Sequence, residues 1–205
     1  DPHTAYWTLT ANRALTRLIK WPLKALALYQ LRKEGYPPSL AMRRTACVSQ
    51  FVRDQLVQAG KLPASARVIS NGIDPQPFSA HKRTQFHDPL RLLYFGRLIA
   101  DKGVHTAIEA MAHLKQRNLA HRLHLTILGG GHPNYEAQLH QMVNEQGLAQ
   151  QVEFIPSVPR EEVPAWLGKF DLFLFTSIWA EPMARSVMEA MATGLLVIGS
   201  EVGGQ

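Results

Sequence analysis

One cysteine, Cys47, occurs in 205 residues, which excludes any internal disulfide and any thiolate metal cluster. Its setting, Thr45-Ala46-Cys47-Val48-Ser49, suits a small buried hydrophobe. No apolar run approaches the ~20 residues that a membrane span requires. The excess of charge that keeps a chain disordered is lacking too, with 19% charged against 46% hydrophobic residues, an ordinary globular balance. The nine histidines include no His-Glu-x-x-His pair, and His121 and His124 straddle a strand start with no third ligand nearby, so no metal and no other cofactor is expected. No Gly-x-Ser-x-Gly elbow or Ser-His-Asp arrangement occurs. The opening Asp1-Pro2-His3 has neither an initiating Met nor the start of a signal peptide. With the closing Gly203-Gly204-Gln205, this leads us to expect a piece of a longer protein.

What the chain does have is positive charge, unevenly spread. Net charge is +6. Residues 1–60 hold Arg13, Arg17, Lys20, Lys24, Arg32, Lys33, Arg43, Arg44 and Arg53 against Asp1, Glu34 and Asp54. The remainder is neutral. The excess therefore belongs to the first segment and points to an anionic partner there, with a solvated helix face as the alternative.

From residue 45 onward short apolar runs alternate with helical periods. Strands are expected at 45–49, 67–70, 91–95, 124–128, 152–155, 171–176 and 195–199. Helices are expected at 50–59, 104–115, 134–145, 161–167 and 182–192, several closed by glycine. Asn71-Gly72 reads as a turn. Residues 75–89, with three prolines, read as a linker between the end of one domain (1–74) and a second domain (90–205). The βαβ rhythm implies an α/β fold with a doubly wound parallel sheet, and such sheets bind ligands at the carboxyl ends of their strands.

Two segments at those ends carry candidate chemistry. In Glu181-Pro182-Met183-Ala184-Arg185-Ser186-Val187-Met188-Glu189, Pro182 suits a first helical position, and a helix opening there would favour a phosphate. Seven residues are ~700° of helical rotation, which would bring Glu189 nearly above the helix start, with Ala184, Val187, Met188 and Met191 facing the core. The alternative is an ordinary surface pair between Arg185 and Glu189, with Glu181 as a helix N-terminal charge. The second segment, Phe95-Gly96-Arg97 through Lys102-Gly103, lets the chain turn at Gly96. It then offers a diphosphate one fork donor and one point charge. Gly129-Gly130-Gly131 lacks the spacing of a dinucleotide fingerprint.

In order, Val68-Ile69-Ser70-Asn71-Gly72-Ile73-Asp74, Gly96-Arg97, Lys102-Gly103, Glu181-x7-Glu189 and the continuation through Val202-Gly203-Gly204 resemble the retaining glycosyltransferases of family 4. The resemblance covers about residues 45–205. It implies a GT-B fold, in which two Rossmann-like domains face a cleft. Residues 1–74 would then end an N-terminal acceptor domain, and 90–205 would be an incomplete donor domain. It further implies that Gly96, Arg97, Lys102, Met183 and Ala184 surround the donor diphosphate, Glu181 contacts the transferred sugar and Glu189 the ribose hydroxyls. Arg97, Lys102 and Glu181 are the expected catalytic groups. The sequence departs from the family at Ala184, where Gly is usual, and at Leu196, where Pro is usual.

The expected activity is transfer of a hexose from a nucleoside diphosphate sugar to an acceptor hydroxyl with retention. The chain by itself is expected to bind donor without catalysing transfer. A GT-B phosphorylase, a sugar-nucleotide epimerase and a non-catalytic nucleotide-binding module are the alternatives. The partners expected are the nucleotide-sugar and a sugar or lipid-linked acceptor. Nucleic acid is not expected, because no recognition motif accompanies the charge. The expected location is cytoplasmic, with peripheral membrane contact through residues 1–60. There Tyr6-Trp7, Leu15, Leu18-Ile19, Trp21, Leu23, Leu26 and Leu28-Tyr29 interleave with Arg13, Arg17, Lys20 and Lys24. Pro22 divides this run into two short helices or one kinked helix. If this segment meets lipid, the full-length protein should cosediment with anionic vesicles and not with neutral ones, gaining about 1 kcal/mol per surface-near Lys or Arg, and release with salt. Equal recovery in the supernatant with both would assign the charge to a solvated face.

Overall fold

A computed structural model of the chain describes residues 45–79 and 85–204, together with Ala25 and Tyr29 as isolated positions. The expected membrane-facing helices before residue 45 therefore lie outside the described residues, as do 80–84 of the expected linker. Among the described residues no helix is long and apolar enough to cross a membrane.

The first unit is small. Strands β1 (Ala46–Cys47) and β2 (Arg67–Val68) pair in parallel, joined through helix α1 (Gln50–Gln58). Ser49 ends the first strand earlier than expected because it caps α1, its hydroxyl accepting from the Val52 N–H at 3.3 Å. Cys47 is buried. Asn71-Gly72 makes no turn, and the chain passes through it without regular structure to α2 (Gln76–Ser79). That short helix lies in the expected linker, yet Phe78 on it is buried in the core of the unit that follows.

The main sheet has five parallel strands: β3 (Leu90–Phe95), β4 (Leu123–Leu128), β5 (Val152–Ile155), β6 (Leu172–Phe175) and β7 (Leu196–Gly199), in the order β5-β4-β3-β6-β7. Near-continuous apolar runs such as Leu172-Phe173-Leu174-Phe175 suit strands covered on both faces. Between them come α3 (Val104–Gln116), α4 (Pro133–Glu145), α5 (Val163–Leu167) and α6 (Arg185–Thr193). Leu92 and Tyr94 of β3 and Leu125 and Ile127 of β4 pack against Ile108 and Met111 of α3 and Leu139 of α4. Leu93, Leu128 and Phe173 point the other way, into a second core with Phe78, Val163, Leu167 and Ala190. Helices thus cover both faces, as the α/β reading expected. The strand order reverses between β3 and β6, the position at which such sheets open a ligand crevice.

The amino ends of three strands are fastened by one buried acidic residue, through its carboxylate and its backbone. Asp171, fully buried, accepts from the Arg91 N–H at 2.7 Å and the His87 N–H at 3.2 Å, with the His87 ring Nδ1 at 3.1 Å. Its own N–H donates to Arg91 O, and its carbonyl accepts from Leu196 N. Burial pushes its pKa up, but the Arg91 N–H and the His87 contacts more than offset that and hold the carboxyl below the ordinary range. Asp171→Ala should therefore cost about 2–4 kcal/mol near neutral pH, since it removes a buried carboxylate and the partner of two part-buried N–H groups. Because the folded value is the lower one, this stability is complete above an unfolded pKa of about 3.9 and is lost as pH falls through the folded value. Denaturant midpoints of the two proteins should converge in strong acid. A gap that stays constant from neutral pH to full protonation would assign the loss to packing alone.

Candidate functional site

At the switch point a cleft of about 380 Å³ opens over the carboxyl ends of β3 and β6. Gly96, Arg97, Lys102, Glu181, Met183, Ala184 and Glu189, every residue expected at the site from sequence, line it. Their assembly depends on two loops, one following β3 and one following β6.

The loop after β3 is held in several places. The Tyr94 hydroxyl donates to Arg97 O at 2.9 Å, and burial, reinforced by Tyr135 and Glu181, pushes the Tyr94 pKa well up, so it stays a neutral donor. The Leu98 N–H donates to Gly130 O at 3.0 Å. This is the role of the triple glycine: a Cβ on Gly131 would stand 1.9 Å from Leu98 O. Gly103, at φ +63°, brings the end of the loop against β6, where a Cβ would stand 1.9 Å from Thr176 O. The two loops are then stitched together. Thr176 Oγ1 donates to Lys102 O at 3.1 Å, and the N–H groups of Ile178 and Trp179 both donate to Asp101 O.

The result is an ion pair across the switch point, Lys102 Nζ to Glu181 Oε1 at 2.7 Å. Glu181 is mostly buried, and its carbonyl accepts from the Gly204 N–H at 2.8 Å. That bond corrects one expectation. A helix beginning at Pro182 would leave Glu181 at its N-terminal boundary; instead residues 182–184 stay outside the helix, with a bend at Pro182, and α6 begins at Arg185. Pro182 is therefore not the first helical residue, and the rotation that was to place Glu189 over the helix start does not apply. Ala184 is the N-cap, at φ −85° and ψ 115°, and has no side-chain cap bond. An L-residue adopts those angles freely, so alanine in place of the family's glycine needs no adjustment of the backbone. Leu196, where the family has proline, is half exposed and donates its N–H to Asp171 O.

The face of α6 also differs from expectation. Met191 is exposed, while Glu189, Ala190 and Thr193 are buried. Glu189 is 1% exposed, so it is not a solvated surface partner of Arg185, whose Nε lies 3.9 Å from Oε1. Its close partner is Arg160 on the β5–α5 connection, with Nη2 at 2.5 Å from the same oxygen. Arg160 lines the cleft, and sequence reading missed it. The available signal was its place in Pro159-Arg160-Glu161-Glu162, just past a strand end on the ligand side of the sheet. The hydrogen bond to Glu189 raises the Arg160 pKa further. The cleft thus holds two buried carboxylates, Glu181 with Lys102 and Glu189 with Arg160 and, at longer range, Arg185, plus Arg97, exposed at its edge.

A doubly wound α/β domain with this cation-lined crevice at its switch point has the architecture of a GT-B glycosyltransferase domain. The chain belongs to the family "Glycosyl transferases group 1", which residues 76–205 match. It is 34% identical over 178 residues to the amylovoran biosynthesis glycosyltransferase AmsK of Erwinia amylovora, covering 84% of this chain and 43% of that protein. It is 32% identical to the D-inositol 3-phosphate glycosyltransferase of Pseudarthrobacter chlorophenolicus, over 65% of this chain and 33% of that one. Among solved structures, Anabaena HepE in complex with UDP superposes with a TM-score of 0.67 at 25% identity, over 82% of this chain and 46% of that one. The chain therefore spans less than half the length of these relatives.

The stitching of the loops makes Gly103 a sensitive point. Gly103→Ala should destabilise the domain by about 2 kcal/mol or more, through positive-φ strain together with the Thr176 clash. Thermal unfolding checks it, and a melting temperature within error of wild type would show that the loops tolerate separation.

Proposed function

We propose that the protein transfers a hexose from a uridine diphosphate sugar to an acceptor hydroxyl with retention of configuration. The observation that carries this reading is the convergence of Arg97, Lys102 and the opening of α6 on one cleft that also holds Glu181 and Glu189. The UDP bound by Anabaena HepE supports the choice of nucleotide, and the relatives' names support sugar transfer.

In the reaction the bond between the anomeric carbon and the diphosphate oxygen breaks. The acceptor oxygen bonds to that carbon, and its proton leaves with the diphosphate. Positive charge develops on the sugar and negative charge on the leaving oxygens. Arg97 offers a planar fork to the diphosphate and Lys102 a compact charge. The first-turn N–H groups of α6, which have no side-chain cap, add a fixed positive potential. These groups are in place before the reaction, so the leaving group's growing charge is met without reorganisation. Glu181 holds Lys102 at 2.7 Å. With donor present it faces the transferred sugar, where its charge opposes the positive charge at the anomeric carbon. Glu189, fixed by Arg160 at the other end, accepts from the ribose hydroxyls.

Arg97→Ala and Lys102→Ala in the full-length enzyme should each lower kcat/KM by ~10²-fold or more. Calorimetry should show UDP binding more tightly than GDP or ADP. Near-normal turnover in both variants would remove the electrostatic role, and equal silence towards all three nucleotides would favour a non-catalytic module.

A further inference from the structure

We infer that Trp179 is a stacking platform for the acceptor, and that the acceptor group it receives is a pyranose ring. The inference rests on the transferase reading above and extends it to the second substrate.

Trp179 is 51% exposed and its neighbour Ile178 59%, although both stand in the connection that carries Glu181. The two side chains are consecutive and together form one exposed apolar surface beside the proposed reaction centre. Its position is fixed. The N–H groups of Ile178 and Trp179 donate to Asp101 O at 3.0 and 3.2 Å. The buried Ser177 hydroxyl lies 3.1 Å from Trp179 O and 3.3 Å from Asp101 O, and Ser200 Oγ donates to Ser177 O at 2.5 Å. An apolar side chain exposed on a loose loop would gain little from a ligand, because binding would also have to order the loop. Here that ordering is already done.

The ring also stands in a telling place. The Lys102 ammonium that pairs with Glu181 at 2.7 Å lies 5.9 Å from the indole centroid, within cation–π range. Trp179 is nevertheless not one of the residues that wall the cleft. It therefore stands at the lip, beside the charged pair assigned to the donor. A flat indole offers a wide apolar surface and an N–H donor with only two side-chain torsions to fix. That matches the C–H face of a pyranose with its equatorial polar rim, and it does not match a small open-chain alcohol, which has no face to stack. Among the described residues the cation found against the ring, Lys102, is already engaged by Glu181, so an anionic headgroup is the poorer fit.

Saturation-transfer NMR on the full-length protein, with UDP present, tests this using methyl glucopyranoside, methyl galactopyranoside, methyl mannopyranoside and glycerol. At least one pyranoside should receive saturation through its ring C–H protons while glycerol does not. Trp179→Ala should weaken that sugar's binding about tenfold, equivalent to about 1.4 kcal/mol, and leave UDP affinity within about threefold, a loss of at most about 0.7 kcal/mol. Trp179→Phe, which keeps a ring, should retain most of the sugar signal. A protein that binds UDP but no pyranoside, or whose sugar signal survives Trp179→Ala, overturns the platform and leaves the transferase reading standing. Loss of UDP and sugar together in Trp179→Ala would make the residue a support of the donor site and also overturn the inference. A wild-type protein that binds neither UDP nor sugar sinks both readings.

Discussion

The pairing of β3 with β6 is the constraint on which the rest of this structure depends. These strands are far apart in sequence, yet Leu92 pairs with Leu172 and Leu93 with Phe173. Strand order reverses there, so the connections leaving β3 and β6 diverge to opposite faces of the sheet and leave a gap between them. Into that gap the β3 loop delivers Arg97 and Lys102, and the β6 loop delivers Glu181. Asp171 secures the same pair of strands at their other ends by bonding Arg91. Shifting this register by one residue would exchange the side chains that β3 gives to the two cores and separate Lys102 from Glu181.

Of the six charged side chains that line the cleft, four are closely paired in advance. Lys102 with Glu181 and Arg160 with Glu189 each bring opposite charges to 2.7 Å or less, which limits the desolvation that an unpaired ion would suffer. The arrangement leaves Arg97 and the opening of α6 as positive potential for an incoming anion. It also divides the cleft into a Glu181 end, beside Trp179, and a Glu189 end, beside Arg160. That division suits an elongated ligand with chemically different ends.

Several features of the site were legible in the residues and one of its mechanisms was not. The run Gly96-Arg97 to Lys102-Gly103 after a strand, and the acids at 181 and 189, mark segments that the structure brings to one cleft. Helical rotation from Pro182 does not bring the acids together, because α6 starts at Arg185 and the Gly204 N–H takes the Glu181 carbonyl. Helical periodicity likewise placed Met191 inward, whereas the buried acid Glu189 turns α6 so that Met191 faces out. Arg160 escaped notice because its partner lies 29 positions away, and no local pattern encodes such a contact.

The sequence by itself determined the α/β class, the approximate place of the main-sheet strands and the loops at which chemistry collects. Those follow from local facts: apolar period, glycine at turns, and cations beside strand ends. Only the tertiary structure decided which cation neutralises which carboxylate, that Phe78 of the expected linker is part of the core, and that Trp179 is mounted rigidly at the lip of the cleft. Each of these is a contact between segments distant in sequence. Its partner is chosen by strand order and register, which arise from packing the whole sheet and cannot be read from any one stretch of it.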